Sequence, residues 1–143
     1  MTLIPEARIP MRQFLSWAIP YVEENYKLTL KGISGSRTAA EQDALYAQGR
    51  TAPGKIVTNA RAGQSNHNYG LALDLGIFDG AGEYVDSYHS SQSTKIYREI
   101  AMRCDEFGLT WGGNWRSFPD APHFQYGDLS TEEMAKLYPI YVG

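Results

Sequence analysis

Cysteine is nearly absent from this chain. The 143 residues contain one, Cys104, so no internal disulfide can form. Stability must come from packing, with a bound metal as the remaining staple. Long apolar runs are missing as well: none approaches the roughly 18 residues that a membrane-crossing helix needs, so no membrane insertion is expected. Positive charge is scarce. Thirteen Lys and Arg against sixteen Asp and Glu leave a net charge of −3, and no basic stripe stands out. Phosphate backbones are held by clustered Lys and Arg, which argues against nucleic acid as a partner. Repeats, low-complexity stretches and linkers are also lacking. At this length the chain reads as a single domain over residues 1–143, expected to be monomeric, with enough residues to bury its own core.

What is present is globular. Hydrophobic residues make up 43% and charged residues 20%, and the high aromatic share of 13%, with ten Tyr and three Trp, reads mainly as core. Near the start, Arg8 and Arg12 precede the apolar run Phe14 to Ile19, an arrangement that a secretory leader also shows. Pro20 interrupts that run, and Glu23-Glu24 stands where small residues should mark a cleavage site. The same residues form one helical face instead, with Phe14, Trp17, Ala18, Tyr21 and Val22 at i, i+3, i+4, i+7 and i+8. The expectation is a protein made in the cytoplasm without its own export signal.

Along the chain, a first helix is expected from Ile9 to Tyr26 with some distortion at Pro20, then a strand from Leu28 to Ser34. Thr38 to Glu41 has capping-box spacing and opens a helix that runs to about Gln48. A loop rich in Gly, Pro, Asn and Ser covers Gly49 to Gly70, with a small strand at Lys55 to Thr58. Loops of this length inside a compact domain are usually functional or disordered. Leu71 to Phe78 reads as a buried strand, Asp79 to Gly82 as a turn, and Glu83 to Val85 as the return strand. A helix from Thr94 to Phe107 places Cys104 on its apolar face. Short strands follow at Leu109 to Trp111 and His123 to Tyr126, and Ser130 to Glu133 caps a final helix. This is an α+β pattern: a small, mainly antiparallel sheet with flanking helices.

The chemistry is concentrated in the histidines. His89 lies in a polar run with no carboxylate at ligand spacing and reads as a surface residue. His67 stands where a loop enters a strand that reaches Asp74, an acid that is expensive to bury unless paired or metal-bound. His123 also sits where a loop meets an apolar strand. Two imidazoles and one carboxylate are a donor set typical of catalytic zinc, with a fourth position left for water. Hydrolysis at such a site also needs a carboxylate that is not a ligand. Asp120, three residues before His123, is the candidate; on the sequence it is equally a turn former before Pro122. Asp79, Glu83 and Asp86 could bind a cation but read as a solvated hairpin turn.

Ser65-x-His67-x-x-Gly70-x-Ala72-x-Asp74 and Asp120-x-Pro122-His123-Phe124 resemble the VanY-like branch of zinc peptidoglycan peptidases, and within it the L-alanyl-D-glutamate endopeptidases of phage endolysins and bacterial wall hydrolases. Ser34 to Thr38, Gly49 to Thr51 and Trp111 to Gly113 look like further landmarks. The resemblance implies the hedgehog/D-Ala-D-Ala-peptidase-like zinc peptidase fold, one Zn2+ on His67, Asp74 and His123, and Asp120 as general base. Arg37 matches the arginine placed near the scissile carbonyl, and Ser65 orders the metal loop or contacts substrate. The implied partner is a peptidoglycan stem peptide, reached after holin-type release or injection. Asn114 and Gln125 depart from the pattern, standing where Asp and Glu are common, and bear on substrate fit or on the surroundings of the metal. Two other readings stay open. One is a D-Ala-D-Ala carboxypeptidase or dipeptidase on the same scaffold. The other is a non-catalytic zinc-containing binding domain, as in the signalling domain of hedgehog proteins.

Overall fold

A computed structural model describes residues 2–85 and 90–143. His89 and Asp86 lie outside the described residues, so the expectations for them have no structural counterpart here. Among the described residues, four α-helices and four strands follow in the order α1 (Pro5–Tyr26), β1 (Thr29–Ser34), α2 (Ala39–Ala47), β2 (Ala72–Phe78), α3 (Ser91–Ala101), β3 (Leu109–Trp111), β4 (His123–Tyr126) and α4 (Thr131–Leu137). No helix among the described residues is long and apolar enough to cross a membrane.

The first helix begins four residues earlier than the sequence pattern suggests. Pro5 occupies its first turn, where a missing N–H costs nothing, and Ala7 and Met11 extend the buried face of Phe14, Ala18 and Val22. The helix continues through Pro20. Lys27 then takes a left-handed conformation, φ 56°, and turns the chain into β1.

The strands form one antiparallel sheet in the order β1-β2-β4-β3. Alternation along β2 sends Leu73, Leu75 and Ile77 into the core, where Phe124 of β4 packs 5.4 Å from Phe14 of α1. Asp74 therefore points to the opposite face. Register lines up Ser34, Asp74 and His123 as a row across three neighbouring strands. A bulge between Gly32 and Ser34 lets Ile33 swing out, 44% exposed, beside that row.

Three sequence expectations need correction. Lys55 to Thr58 is not a strand. Its carbonyls are taken by side chains instead: Gln48 Nε2 donates to Lys55 O at 3.1 Å and Arg50 Nη1 to Thr58 O at 3.0 Å, so no sheet edge is needed. The return strand at Glu83 to Val85 is a single bridge between Phe78 and Tyr84. The helix expected to reach Phe107 ends at Ala101, and a separate 3-10 turn covers Cys104–Phe107. Arg103 leaves helical geometry there, with its guanidinium 4.3 Å above the Trp17 ring and bonded to Glu106. Cys104 is buried as expected, and the apolar surroundings push its thiol up to about 12.

Candidate metal centre and catalytic cleft

The sheet supplies two of the metal-ligand candidates. Asp74 and His123 are cross-strand partners in β2 and β4, so their side chains emerge side by side. His67 comes from a short 3-10 turn, Asn66–Tyr69, just before β2. Ser65 caps that turn by accepting the His67 N–H at 3.2 Å, and Gly70 ends it with φ 71°. A Cβ on Gly70 would also meet Ile4, whose N–H donates to the Gly70 carbonyl. Only glycine fits a backbone turned this way and approached this closely.

One donor atom from each of His67, Asp74 and His123 lies within 4.8 Å of the other two. His67 Nε2 stands 3.2 Å from Asp74 Oδ1, and His123 Nδ1 stands 3.4 Å from the same oxygen. The far nitrogen of His67, Nδ1, is 2.7 Å from the Gly35 carbonyl. A carbonyl only accepts, so Nδ1 carries the proton and Nε2 turns a lone pair toward Asp74. Burial lowers the pKa of His67, outweighing the pull of Asp74 upward, which keeps the ring neutral. For Asp74, burial pushes the pKa up, but the two imidazoles beside it, His123 and His67, outweigh burial and hold it below the usual carboxylate range. A lone pair facing a carboxylate oxygen, with no proton between them, is repulsive. A cation among the three donors resolves this, and two imidazoles plus a carboxylate suit zinc.

Arg37 approaches the cluster from the other side. Its Nη2 donates to Asp74 Oδ2 at 3.0 Å, while Ser34 Oγ and Gln42 Oε1 take further N–H groups. Gln42 is fully buried and donates to the Ala60 carbonyl, linking this arginine to the long loop. Asp120 sits in the segment before β4, its N–H on the Gly112 carbonyl. Its pKa is raised to about 6, chiefly by burial and then by the charge of Asp74, with His123 and Arg37 pulling the other way. It is thus a carboxylate near neutrality, without the ligand geometry of Asp74. Gly112 makes this possible: a Cβ there would lie 2.8 Å from Asp120 O and 2.9 Å from His123 Cβ.

All these groups open on a cleft of about 660 Å³, which the expected residues Arg37, Ser65, His67, Asp74, Asp120 and His123 all line. A second depression, against α2, shares Ile33, Arg37 and Leu45 with it. The sequence reading missed several contributors. Trp115 lies with its ring 4.7 Å from that of His123 and forms part of the wall, signalled only by its place after Gly112-Gly113. Asn66 lines the cleft with a buried Nδ2 that has no partner, a donor available to a bound ligand. Asn68 is fully buried and bonds to both sides of the loop. Gln125 contacts His123, whereas Asn114 is exposed and does not line the cleft.

Sheet and row of donors together make a candidate metal site, with a carboxylate that is not part of the donor set lining the same cleft. Comparison with known proteins agrees. Residues 58–126 match the family described as D-alanyl-D-alanine carboxypeptidase. That segment includes His67, Asp74, Asp120 and His123. Over 94 residues the chain is 44% identical to the peptidoglycan L-alanyl-D-glutamate endopeptidase CwlK of Bacillus subtilis, covering 64% of this chain and 56% of that protein. The chain thus spans little more than half the length of this relative. In structure it is similar to the Serratia marcescens L-Ala D-Glu endopeptidase ChiX, with TM-score 0.51 and 21% identity over 88% of this chain and 90% of the other. It is also similar to the D,D-pentapeptidase VanY of a VanB-type resistance cassette, in complex with Zn(II), with TM-score 0.54 and 20% identity over 91% and 76%. At these identities the two structures speak for the fold.

Proposed function

We propose that this protein is a zinc-dependent peptidase of peptidoglycan stem peptides, cutting between L-Ala and D-Glu. The observation that carries the reading is the His67–Asp74–His123 cluster opening on a cleft beside Asp120. The relative CwlK, an L-alanyl-D-glutamate endopeptidase, supports the substrate and the bond.

In this reading His67, Asp74 and His123 hold one zinc ion, and the residues 1–143 act as a single catalytic domain. When bound, zinc supplies Lewis-acid chemistry, making a water more acidic and polarising a carbonyl oxygen. Asp120 then accepts the water proton and returns it to the leaving amine, a task for which a pKa of about 6 is suited. Arg37 steadies Asp74 through Oδ2, and its remaining Nη1 hydrogen is free to meet the oxyanion. Ser65 orders the metal loop through its cap and borders the substrate.

The matched family's description favours a second reading, removal of a terminal D-Ala. That reaction needs a cation for the terminal carboxylate. Among the described residues Arg37 is the only cation lining the cleft, and it is engaged with Asp74. Arg61 is stacked 4.9 Å from the Tyr46 ring, with Nη2 on the Tyr46 hydroxyl. The second depression against α2, next to the cleft, supports room for chain beyond the scissile bond.

Mass spectrometry of digested muropeptides separates the two. Peptides with a new amino-terminal D-Glu are expected; release of D-Ala alone, with the L-Ala–D-Glu bond intact, would sink the endopeptidase reading. Endolysin-like wall lysis by a monomer, after holin-type release or injection, belongs to the same proposal. Turbidity loss in cell suspensions and light scattering of the purified chain test it.

A further inference from the structure

We infer that Gln125 is a positioning residue for the metal: it holds His123 in the tautomer whose Nδ1 lone pair faces Asp74 and His67, and thereby sets the affinity of the site. This rests on the metal reading above. Gln125 stands two residues after His123 on β4, so both side chains leave the same face of the strand, and it is only 2% exposed. Its Oε1 lies 2.8 Å from His123 Nε2, and its Nε2 lies 3.2 Å from the Gly127 carbonyl.

The chain of contacts runs one way. A backbone carbonyl can only accept, so the amide nitrogen end of Gln125 faces Gly127. The oxygen end therefore faces the imidazole, and His123 Nε2 must carry the proton. Nδ1 is left with its lone pair, 3.4 Å from Asp74 Oδ1. The anchor is itself fixed, because Gly127 turns with φ 68° and donates its N–H to the Gly108 carbonyl at 3.0 Å. The two histidines thus present opposite nitrogens, His67 through Nε2 against Gly35 and His123 through Nδ1 against Gln125. A neutral amide polarises the imidazole less than a carboxylate would, so a Glu at this position makes the ligand more basic.

The test compares wild type, Gln125→Leu and Gln125→Glu by competition for zinc with a chromophoric chelator, and by nitrogen-15 NMR of the histidine rings without and with zinc. Gln125→Leu should weaken zinc about 10- to 100-fold and release His123 from the Nε2–H tautomer, leaving the His67 ring signals unchanged. Gln125→Glu keeps the acceptor, so it should bind zinc at least as tightly as wild type with the proton still on Nε2. Equal zinc affinity in wild type and Gln125→Leu, or zinc-loaded wild type ligated through His123 Nε2, overturns the inference. If Gln125→Leu does not fold, a tenfold weaker Gln125→Glu does the same. Should wild type take up no zinc yet show a Gln125-dependent Nε2–H tautomer, the zinc reading falls with the affinity claim, and only the hold of Gln125 on the His123 tautomer stands.

Discussion

Asp120 and Asp74 are the same residue type on two sides of one cleft, and their surroundings drive them apart. Asp74 is ionised because imidazoles and a guanidinium surround it; Asp120 is raised to about 6 because burial and the charge of Asp74 oppose its ionisation. The first kind of environment suits a ligand and the second a base. Asp120→Asn should keep zinc and fold but lose kcat by about 100-fold or more, since an amide cannot accept the proton; metal analysis beside the kinetics checks both halves. Loss of zinc together with activity would make Asp120 a ligand instead. The pH profile follows from the sign of the shift. As pH falls through the pKa of Asp120 the base is protonated and kcat/KM drops. A nearby cation lowers a carboxyl pKa, so in the zinc-loaded enzyme this acidic limb should lie at or below about pH 6. A limb above 7 would belong to another group.

Among the elements, the long loop before β2 carries Ser65 and His67 of the candidate site and has almost no regular structure. Asn68 is its knot. Its Oδ1 accepts from the N–H groups of Gly63 and Ser65, and its Nδ2 donates to the carbonyls of Arg37 and Thr38. The backbone N–H of Arg37 in turn donates to the His67 carbonyl, and the N–H of Tyr141 to that of Asn68. One buried amide therefore ties the metal loop to the Arg37 segment, with the C-terminal tail closing over it. Asn68→Ala leaves several buried groups without partners, at about 1–3 kcal/mol for each that water cannot reach. A loss of about 3 kcal/mol is expected in chemical denaturation of the metal-free protein, together with weaker zinc binding. A change under about 0.5 kcal/mol, the range of ordinary surface substitutions, would show that the loop is held by other contacts.

Over the whole molecule, metal binding and stability should be coupled. The donors are brought together only by the pairing of β2 with β4 and by the turn before β2, so an unfolded chain offers no comparable site. Free zinc at 1,000 times the dissociation constant adds about 4 kcal/mol, and for a domain of this size that raises Tm by roughly 10 °C. Calorimetry with zinc and with a chelator measures the difference. His67→Ala should abolish it, and a zinc-dependent Tm that survives this substitution would remove His67 from the ligand set.

Periodicity and local spacing determined much of this protein before any folding is considered. The apolar face of α1, the capping boxes at Thr38 and Ser130, and the alternation that buries Leu73, Leu75 and Ile77 are all short-range patterns. His67 and His123, each where a polar loop meets an apolar strand, and Asp74 within the strand that follows His67 are short-range signals too, whereas Asp120 is equally a turn former before Pro122. Long-range contacts decided the rest. Lys55 to Thr58 carries strand-like residues but is fixed by side chains of Gln48 and Arg50, and the helix after Ser90 breaks where Arg103 meets Trp17. Likewise no local pattern could say that Arg37 grips Asp74, that burial and the charge of Asp74 raise Asp120, or that Gln125 faces His123. Charge and hydrogen-bond partners act through space, and only the sheet order β1-β2-β4-β3 brings these residues within reach.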